Sequence, residues 1–411
     1  MAEGAADVIN LPPELLLNIF AFLDYKDLIC CSKLNKKFHD LSSHNCLWKP
    51  LCKKYWLLTQ CTPGMSWKNQ FCHWYQEWGC YIYCYCTIKG AWDKIMNFMV
   101  VNCPTIYSSV KDGITEQEVR DIEENVCIKL PKDLKCSYRI HNGQKLNAPG
   151  LMGSMSIHSH YRTESLLDLE TASIGFQQRD GLKGCLPLTI CLHSGLTQFI
   201  ALNDLDGYQP NIVFYPSQDL ILQTSGSVDA FISGRSFTEW FVSYAELLDS
   251  GHFVVLNEQP YKFYKEPGCE STTRNITVTA ETCFLPELSS VNPPHFFHTY
   301  RILMSMAKDV SILESCQLVS RHWIVTDENG HEERIDGPGV VGEFPIMKPG
   351  TSYSWVSCTN FNTTYGNMRG HFTMKNLKTG LTTDIICPTY HMKCFPYVTA
   401  EERIRVKLKK E

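Results

Sequence analysis

Hydrophobic periodicity changes twice along this 411-residue chain, and any fold it adopts has to accommodate all three patterns. Residues 8–56 are short helical phrases. Residues 90–250 mix helical and strand patterns. Residues 277–407 read as short strands broken by Gly and Pro turns. A segment patterned every 3.6 residues does not settle as a strand, nor one patterned every second residue as a helix. The order predicts a multidomain chain: all-α first, α+β in the middle, all-β last. At roughly 150 residues per domain the length suits two or three. Residues 57–89, rich in aromatics and Cys, read as a connector. Residues 251–276 read as a linker, because 260–275 is polar and holds a Pro-Gly turn.

Composition narrows the function classes. Hydrophobic residues are 44% and charged residues 20%, the balance of a globular chain. A formal net charge of -5 gives no general footprint for nucleic acid. No run reaches the roughly 18 apolar residues of a membrane span. The N-terminus, MAEGAADVIN, has no basic n-region and is not expected to be a signal peptide. These features predict no nucleic acid, no membrane, and a cytoplasmic or nuclear location. The 20 cysteines are then expected to be reduced and mostly buried.

In the first segment Pro12 and Pro13 suit a helix start, and Glu14 complements its positive end. Leu16, Ile19, Phe20 and Leu23 fall at helical spacing on one face, with Leu11, Leu15 and Phe22 as a second stripe. Asp27 is placed to cap the next short helix, which carries Leu28 and Cys31. Leu34, Phe38 and Leu41, then Trp48, Leu51 and Tyr55, continue the pattern. About fifty residues with apolar groups on several faces must bury against the rest of the chain or meet a partner. The order Leu-Pro-x-Glu-Leu-Leu, Ile, Phe-Leu-Asp, Asp-Leu and Leu-Trp resembles an F-box. That resemblance implies docking on the Skp adaptor and, through it, on a cullin scaffold. It implies that Leu11, Pro12, Leu15, Ile19, Leu23 and Leu28 face the adaptor or support that face, with Trp48 as the closing Trp.

Cys72, His73, Cys80, Cys84 and Cys86 raise the question of zinc. Their spacings contain no Cys-x2-Cys knuckle, so core packing is expected, with no metal and no cofactor. Further on, AWDKIMNFM and TEQEVRDIEENV read as helices, the second with a Thr115/Glu118 capping box, and Asn142-Gly143 as a turn. The phrase Leu130-Pro131…Asn142-Gly143 resembles the SUKH superfamily. This implies an α+β domain over 90–250 that serves protein binding. No Gly-x-Ser-x-Gly motif occurs, and His141 beside a turn makes no catalytic constellation.

In the last segment strand-like runs are Ile276–Ala280, Phe296–Met306, His322–Thr326, Tyr353–Val356, His371–Met374 and Thr383–Ile386. Asn329-Gly330, Pro349-Gly350 and Tyr365-Gly366 separate them as turns. Gly337, Pro338, Gly339, Val340, Val341 and Gly342 spell Gly-x-Gly-x-x-Gly, but no helix pattern follows, so a dinucleotide fold is excluded. Backbone N–H groups there could form an anion nest. Alternatively, Pro338, Val340 and Val341 could present an apolar tip to a protein substrate. The phrase GPGVVGEFPIMKPG with YGNMRGHFTM resembles the ApaG domain, which implies a fibronectin-type β-sandwich over 277–407.

F-box, SUKH-like and ApaG in this order resemble the F-box only protein 3 family, of which this would be a paralogue or isoform without the acidic tail. The resemblance implies a substrate receptor of an SCF ubiquitin ligase, acting in protein ubiquitination and proteasomal degradation. Such a chain binds protein substrates and is not an enzyme. The alternative is a ligand sensor that binds a phosphorylated metabolite at the Gly-rich loop.

Overall fold

A computed structural model describes residues 10–157, 160–176, 181–217 and 228–408. Residues 8–9 of the expected first segment, and 158–159, 177–180 and 218–227 of the expected 90–250 segment, lie outside them. The chain divides into two compact units. One holds the described residues up to Ala91 together with Lys132–Ser137, and the other holds Trp92–Pro131 and the chain from Tyr138 on.

The first unit is helical: Pro13–Phe20, Tyr25–Cys31, Lys36–Ser42, Asn45–Trp56 and Trp67–Trp78. Side-chain caps set the starts. Asn35 accepts from Phe38 N at 2.9 Å and Ser66 from Asn69 N at 3.2 Å. The cap of Tyr25–Cys31 is Asp24, which accepts from Tyr25 N at 2.7 Å; Asp27, expected there, sits in the first turn instead. Burial opposes ionisation of Asp24. Hydrogen bonds from Tyr55 and the Tyr25 amide, with the Lys54 charge, hold its carboxyl below the usual range all the same. The aromatic stretch 57–89 supplies this unit's core. The Phe71 ring lies 5.2 Å from Trp48, 5.3 Å from Tyr25 and 5.7 Å from Trp56. Cys84 and Cys86 are partly buried and donate to the carbonyls of Tyr81 and Lys54, whereas Cys72 and Cys80 are exposed. Among the described residues no group of three or more His, Cys, Asp or Glu could hold a metal.

The second unit begins with an α+β region. Thr115 and Glu118 form a capping box at the start of Glu116–Val126. Asn142 and Gly143 lie inside a short strand, His141–Gln144, rather than in a free turn. Asn142 Oδ1 accepts from Leu169 N at 2.9 Å. Gly143 has φ +63°, and a Cβ there would stand 2.4 Å from the Leu167 carbonyl oxygen, so only glycine fits. An antiparallel sheet runs in the order Tyr397–Val398, Ala230–Gly234, Val213–Pro216, Phe199–Ala201, Cys185–Pro187. Its first strand comes from the far end of the chain, which the expected boundary at 407 had assigned to the sandwich. Arg403 follows it inward: it donates to Asp206 O at 3.1 Å and to Val228 O, and lies 4.2 Å from the Tyr208 ring.

The C-terminal region is an antiparallel β-sandwich. One sheet orders Glu270–Thr273, Ile276–Phe284, Phe296–Met306 and Ser352–Phe361. The other orders Glu332–Pro338, Cys316–Asp327, Tyr365–Asn376 and Thr382–Lys393. Alternation puts Val278, Ile302, Met304, Trp323, Trp355 and Phe372 into the shared core. Tyr365-Gly366, expected as a turn, opens a strand, and Glu332–Pro338 is a strand that the pattern did not signal. The expected linker is folded. Val254–Leu256 and Gln259–Tyr261 pair with each other, Tyr261 then pairs with Ser154, and Phe263 is fully buried.

One buried charge cluster ties the central region to the sandwich. Arg162 donates to Glu287 Oε2 at 2.7 Å and its Nε lies 3.3 Å from Glu164 Oε1. Lys262 reaches the same Glu164 oxygen at 3.0 Å, Tyr215 OH donates to both Glu164 oxygens at 2.8 Å, and His160 Nε2 bonds Glu287 at 3.0 Å. Two cations thus face two carboxylates. Burial opposes ionisation of Glu164, but Lys262 and Arg162, with the Tyr215 hydroxyl, hold its carboxyl below the usual range. Removing one partner strands a buried charge, which costs about 3–5 kcal/mol. Arg162→Met is therefore expected to lower chemical stability by that amount, read from denaturant unfolding of the full chain; a loss under about 1 kcal/mol would show that the cluster is not needed.

His298 lies on Phe296–Met306, its ring near Phe284 and Phe361. Burial pushes its imidazole down from 6.5 to about 3, so the folded chain keeps it neutral. Unfolding lets it take a proton near the ordinary value. The unfolded state thus binds more protons below pH ~6.5, and stability falls with pH from there toward ~3, by up to about 1.4 kcal/mol per pH unit. Melts between pH 7 and 5 should fall more steeply for the native chain than for His298→Phe; parallel slopes would show that the imidazole is not held neutral.

Candidate functional site

Helix Pro13–Phe20 has one buried stripe, Leu16 and Phe20, and Phe20 packs edge-on against Phe38 at 5.3 Å. Two neighbouring positions are left in water: Leu15 is 49% and Ile19 46% exposed. The turn after it exposes Phe22 by 91%, and Ile29 and Leu34 are exposed as well. Pro12 is exposed, while Leu11 and Leu23 are half-buried. Lys37 Nζ donates to Leu11 O at 2.8 Å and fixes the chain entering the helix. Leu28 and Trp48 are buried at 1%, and Trp48 Nε1 donates to Ser42 O at 2.6 Å, so both can act on a partner only from beneath. The spacing puts Ile19 on one face with Leu16, and the resemblance puts it toward the adaptor; the structure buries Leu16 and leaves Ile19 exposed. The helix is eight residues long and buries only Leu16 and Phe20, the latter against Phe38. Phe22 belongs to the second stripe already visible in the sequence; Leu34, read in one phrase with the buried Phe38, is exposed, and Ile29 gave no separate signal.

Such exposure is costly unless it is covered. At about 25 cal/mol per Å2, burying one large aliphatic or aromatic side chain yields about 1.5–3 kcal/mol, so three or four such groups on one short segment suit a protein interface.

The Gly-rich loop is a turn closed on itself. Val340 N donates to Glu343 O at 2.9 Å, Glu343 N to Val340 O at 2.8 Å, and Gly339 N to Val319 O at 2.9 Å. Arg321 Nη1 donates to the carbonyls of Pro338 and Gly339 at 3.0 and 2.9 Å. Three N–H groups that an anion nest would use are thus spent on protein carbonyls. Val340, expected at an apolar tip, is fully buried in the sandwich core, while Pro338, Val341 and Phe344 are exposed. Gly337, the last residue but one of its strand, lies beside Arg321, and Gly342 has open space around it.

Known proteins resemble this chain along its length. Family models match as F-box-like over residues 8–54, as SMI1/KNR4 family (SUKH-1) over 113–243 and as ApaG domain over 286–376. F-box only protein 3 of Homo sapiens is 46% identical over 389 residues, covering 94% of this chain and 83% of that protein. F-box protein SKIP16 of Arabidopsis thaliana is 26% identical over 318 residues, 70% of this chain and 73% of that one. Protein ApaG of a Bradyrhizobium strain is 37% identical over 122 residues, which is 30% of this chain and 90% of that protein.

Gly339 has φ +58°, and a Cβ would stand 2.4 Å from the Glu343 carbonyl oxygen. A β-branched residue resists that conformation. Gly339→Val should cost about 1–3 kcal/mol, seen as a lowered thermal midpoint; an unchanged midpoint would show that the turn tolerates rearrangement.

Proposed function

We propose, starting from the fact that this chain belongs to the F-box only protein 3 family, that it is a substrate receptor of an SCF-type ubiquitin ligase. The observation that carries the proposal is the apolar set Leu15, Ile19 and Phe22, left in water above the buried Leu16 and Phe20. These residues dock on the Skp adaptor, which brings the chain to the cullin scaffold. Leu28 and Trp48 hold the docking helices from below. The chain needs no chemistry of its own. Tethering a protein substrate beside a charged conjugating enzyme raises the effective concentration of its lysines, and the transfer chemistry belongs to the enzyme. Substrate binds the α+β and β-sandwich regions, where loops such as Gly337–Gly342, with exposed Pro338 and Val341, sit on a fixed scaffold. No helix among the described residues is long and apolar enough to cross a membrane, which fits work in the cytoplasm or nucleus.

The test uses exposure to separate binding from folding. Ile19→Glu with Phe22→Glu changes two exposed positions, so the thermal melt should stay as it was. Co-purification of the Skp adaptor should drop at least about tenfold, since each buried carboxylate costs more than 1.4 kcal/mol. Leu16→Ala, by contrast, should lower the midpoint through its cavity. Full adaptor recovery with the double Glu variant would refute docking through this face.

A further inference from the structure

The second unit contains a cavity of about 690 Å3, between helix Phe237–Asp249, the strands around Arg162 and Lys262, and the sandwich strands that carry Cys283 and His298. That volume falls in the range of sites that enclose drug-sized ligands. Its lining mixes polar side chains with aromatic ones, among them Tyr215, Trp240, Tyr244, Phe284 and Phe395. The rings of Tyr215 and Phe395 stack 6.2 Å apart, 9° from parallel.

The cations around it are already spent. Arg162 is paired with Glu287 and Glu164, Lys262 with Glu164, and Lys393 with Glu266 at 2.8 Å. Glu246, also in the lining, is exposed and stays hydrated. An anionic ligand would enter without a free counter-charge and lose its hydration. One polar atom is not spent. His298 lines the cavity and is 1% exposed, yet its Nε2 has no hydrogen-bond partner. A buried polar atom left unpaired costs about 1–3 kcal/mol, which a ligand group could recover.

We propose that this cavity binds an uncharged, flat aromatic small molecule whose polar edge carries a hydroxyl-type group that hydrogen-bonds His298 Nε2. The site shares no residue with the adaptor-docking helices or with the Gly-rich loop, and it does not depend on either.

The probes are 2-naphthol, which is uncharged near neutral pH and can donate or accept, naphthalene, and 2-naphthoate. Each is titrated into the full chain and followed by ligand-observed NMR. The expected result is saturable binding of 2-naphthol, with 2-naphthoate at least about tenfold weaker. Ser243 is exposed and lines the cavity, so Ser243→Trp should obstruct the cavity with an unchanged melt and weaken 2-naphthol at least about tenfold. His298→Phe should weaken 2-naphthol about 2–10-fold, the worth of one hydrogen bond, and leave naphthalene within about twofold. The proposal is overturned if 2-naphthol shows no saturable binding, or if Ser243→Trp binds it as the native chain does. Equal or tighter binding of 2-naphthoate, or an equal loss of both uncharged probes in His298→Phe, overturns it too. Should His298→Phe fail to fold, the Ser243→Trp comparison decides alone.

Discussion

The second unit depends on Arg162 finding two carboxylates in a place that water does not reach. Moving a guanidinium into a low-dielectric interior is costly, and the cost is met only if every partner is in position. Glu164 is supplied two residues along the same chain segment, but Glu287 comes from the turn that follows the sandwich strand Ile276–Phe284, 125 residues away. The cluster therefore forms only when the α+β region and the sandwich are assembled together. Hydrophobic residues could fill the same space with less demand on geometry. The ionic arrangement adds selectivity, because a mispacked interface would leave a charge unpaired. Two further connections act in the same direction: Tyr397–Val398 completes the central sheet, and Arg403 is bonded beneath it. The region that two family models divide is held as one unit by pairings that cross their borders.

This arrangement also accounts for the cavity. Side chains that must satisfy ionic geometry cannot also be chosen to fill volume, and interiors reach close packing only where shapes are free to match. Long polar side chains around Glu164 keep the adjoining strands and helix apart, and aromatic residues line what remains. His298 was placed by strand alternation and leaves an unpaired nitrogen at the edge of that space.

Much of the fold was legible where the signal was local. The Thr115/Glu118 capping box needs only four consecutive residues, and the strand alternation of Phe296–Met306 needs eleven. The exposed residues Leu15 and Phe22 could be read because seven-residue spacing marks a second face on a helix. Failures came where distant partners decide. Asp24 rather than Asp27 became the cap because Tyr55, 31 residues on, also binds it. Residues 260–275 looked like a linker because their polar letters dominate, yet Tyr261 pairs with Ser154 and Phe263 enters a core shared with Met155. Val340 looked like a loop tip because glycines surround it; those glycines instead let the turn drop a valine into the sandwich core. No spacing rule could connect Arg162 with Glu287.

The two units handle unfavourable groups in opposite ways, and the contrast bears on function. The second unit takes charges out of water and satisfies them internally, so it is complete as a folded body without any partner for those groups. The first unit leaves Leu15, Ile19 and Phe22 in water, and no rearrangement of helices this short could bury them without exposing Leu16 and Phe20. Helix Pro13–Phe20 is a little over two turns long, and a helix presents only about a third of its circumference to a core. Apolar residues on more than one face must therefore be divided between the chain's own interior and something outside it. Folding uses the stripe that buries Leu16 and Phe20; the rest is left free for the proposed association. On that proposal the binding strength of this segment would be set by residues that contribute almost nothing to its folding, so they can be altered without unfolding the chain.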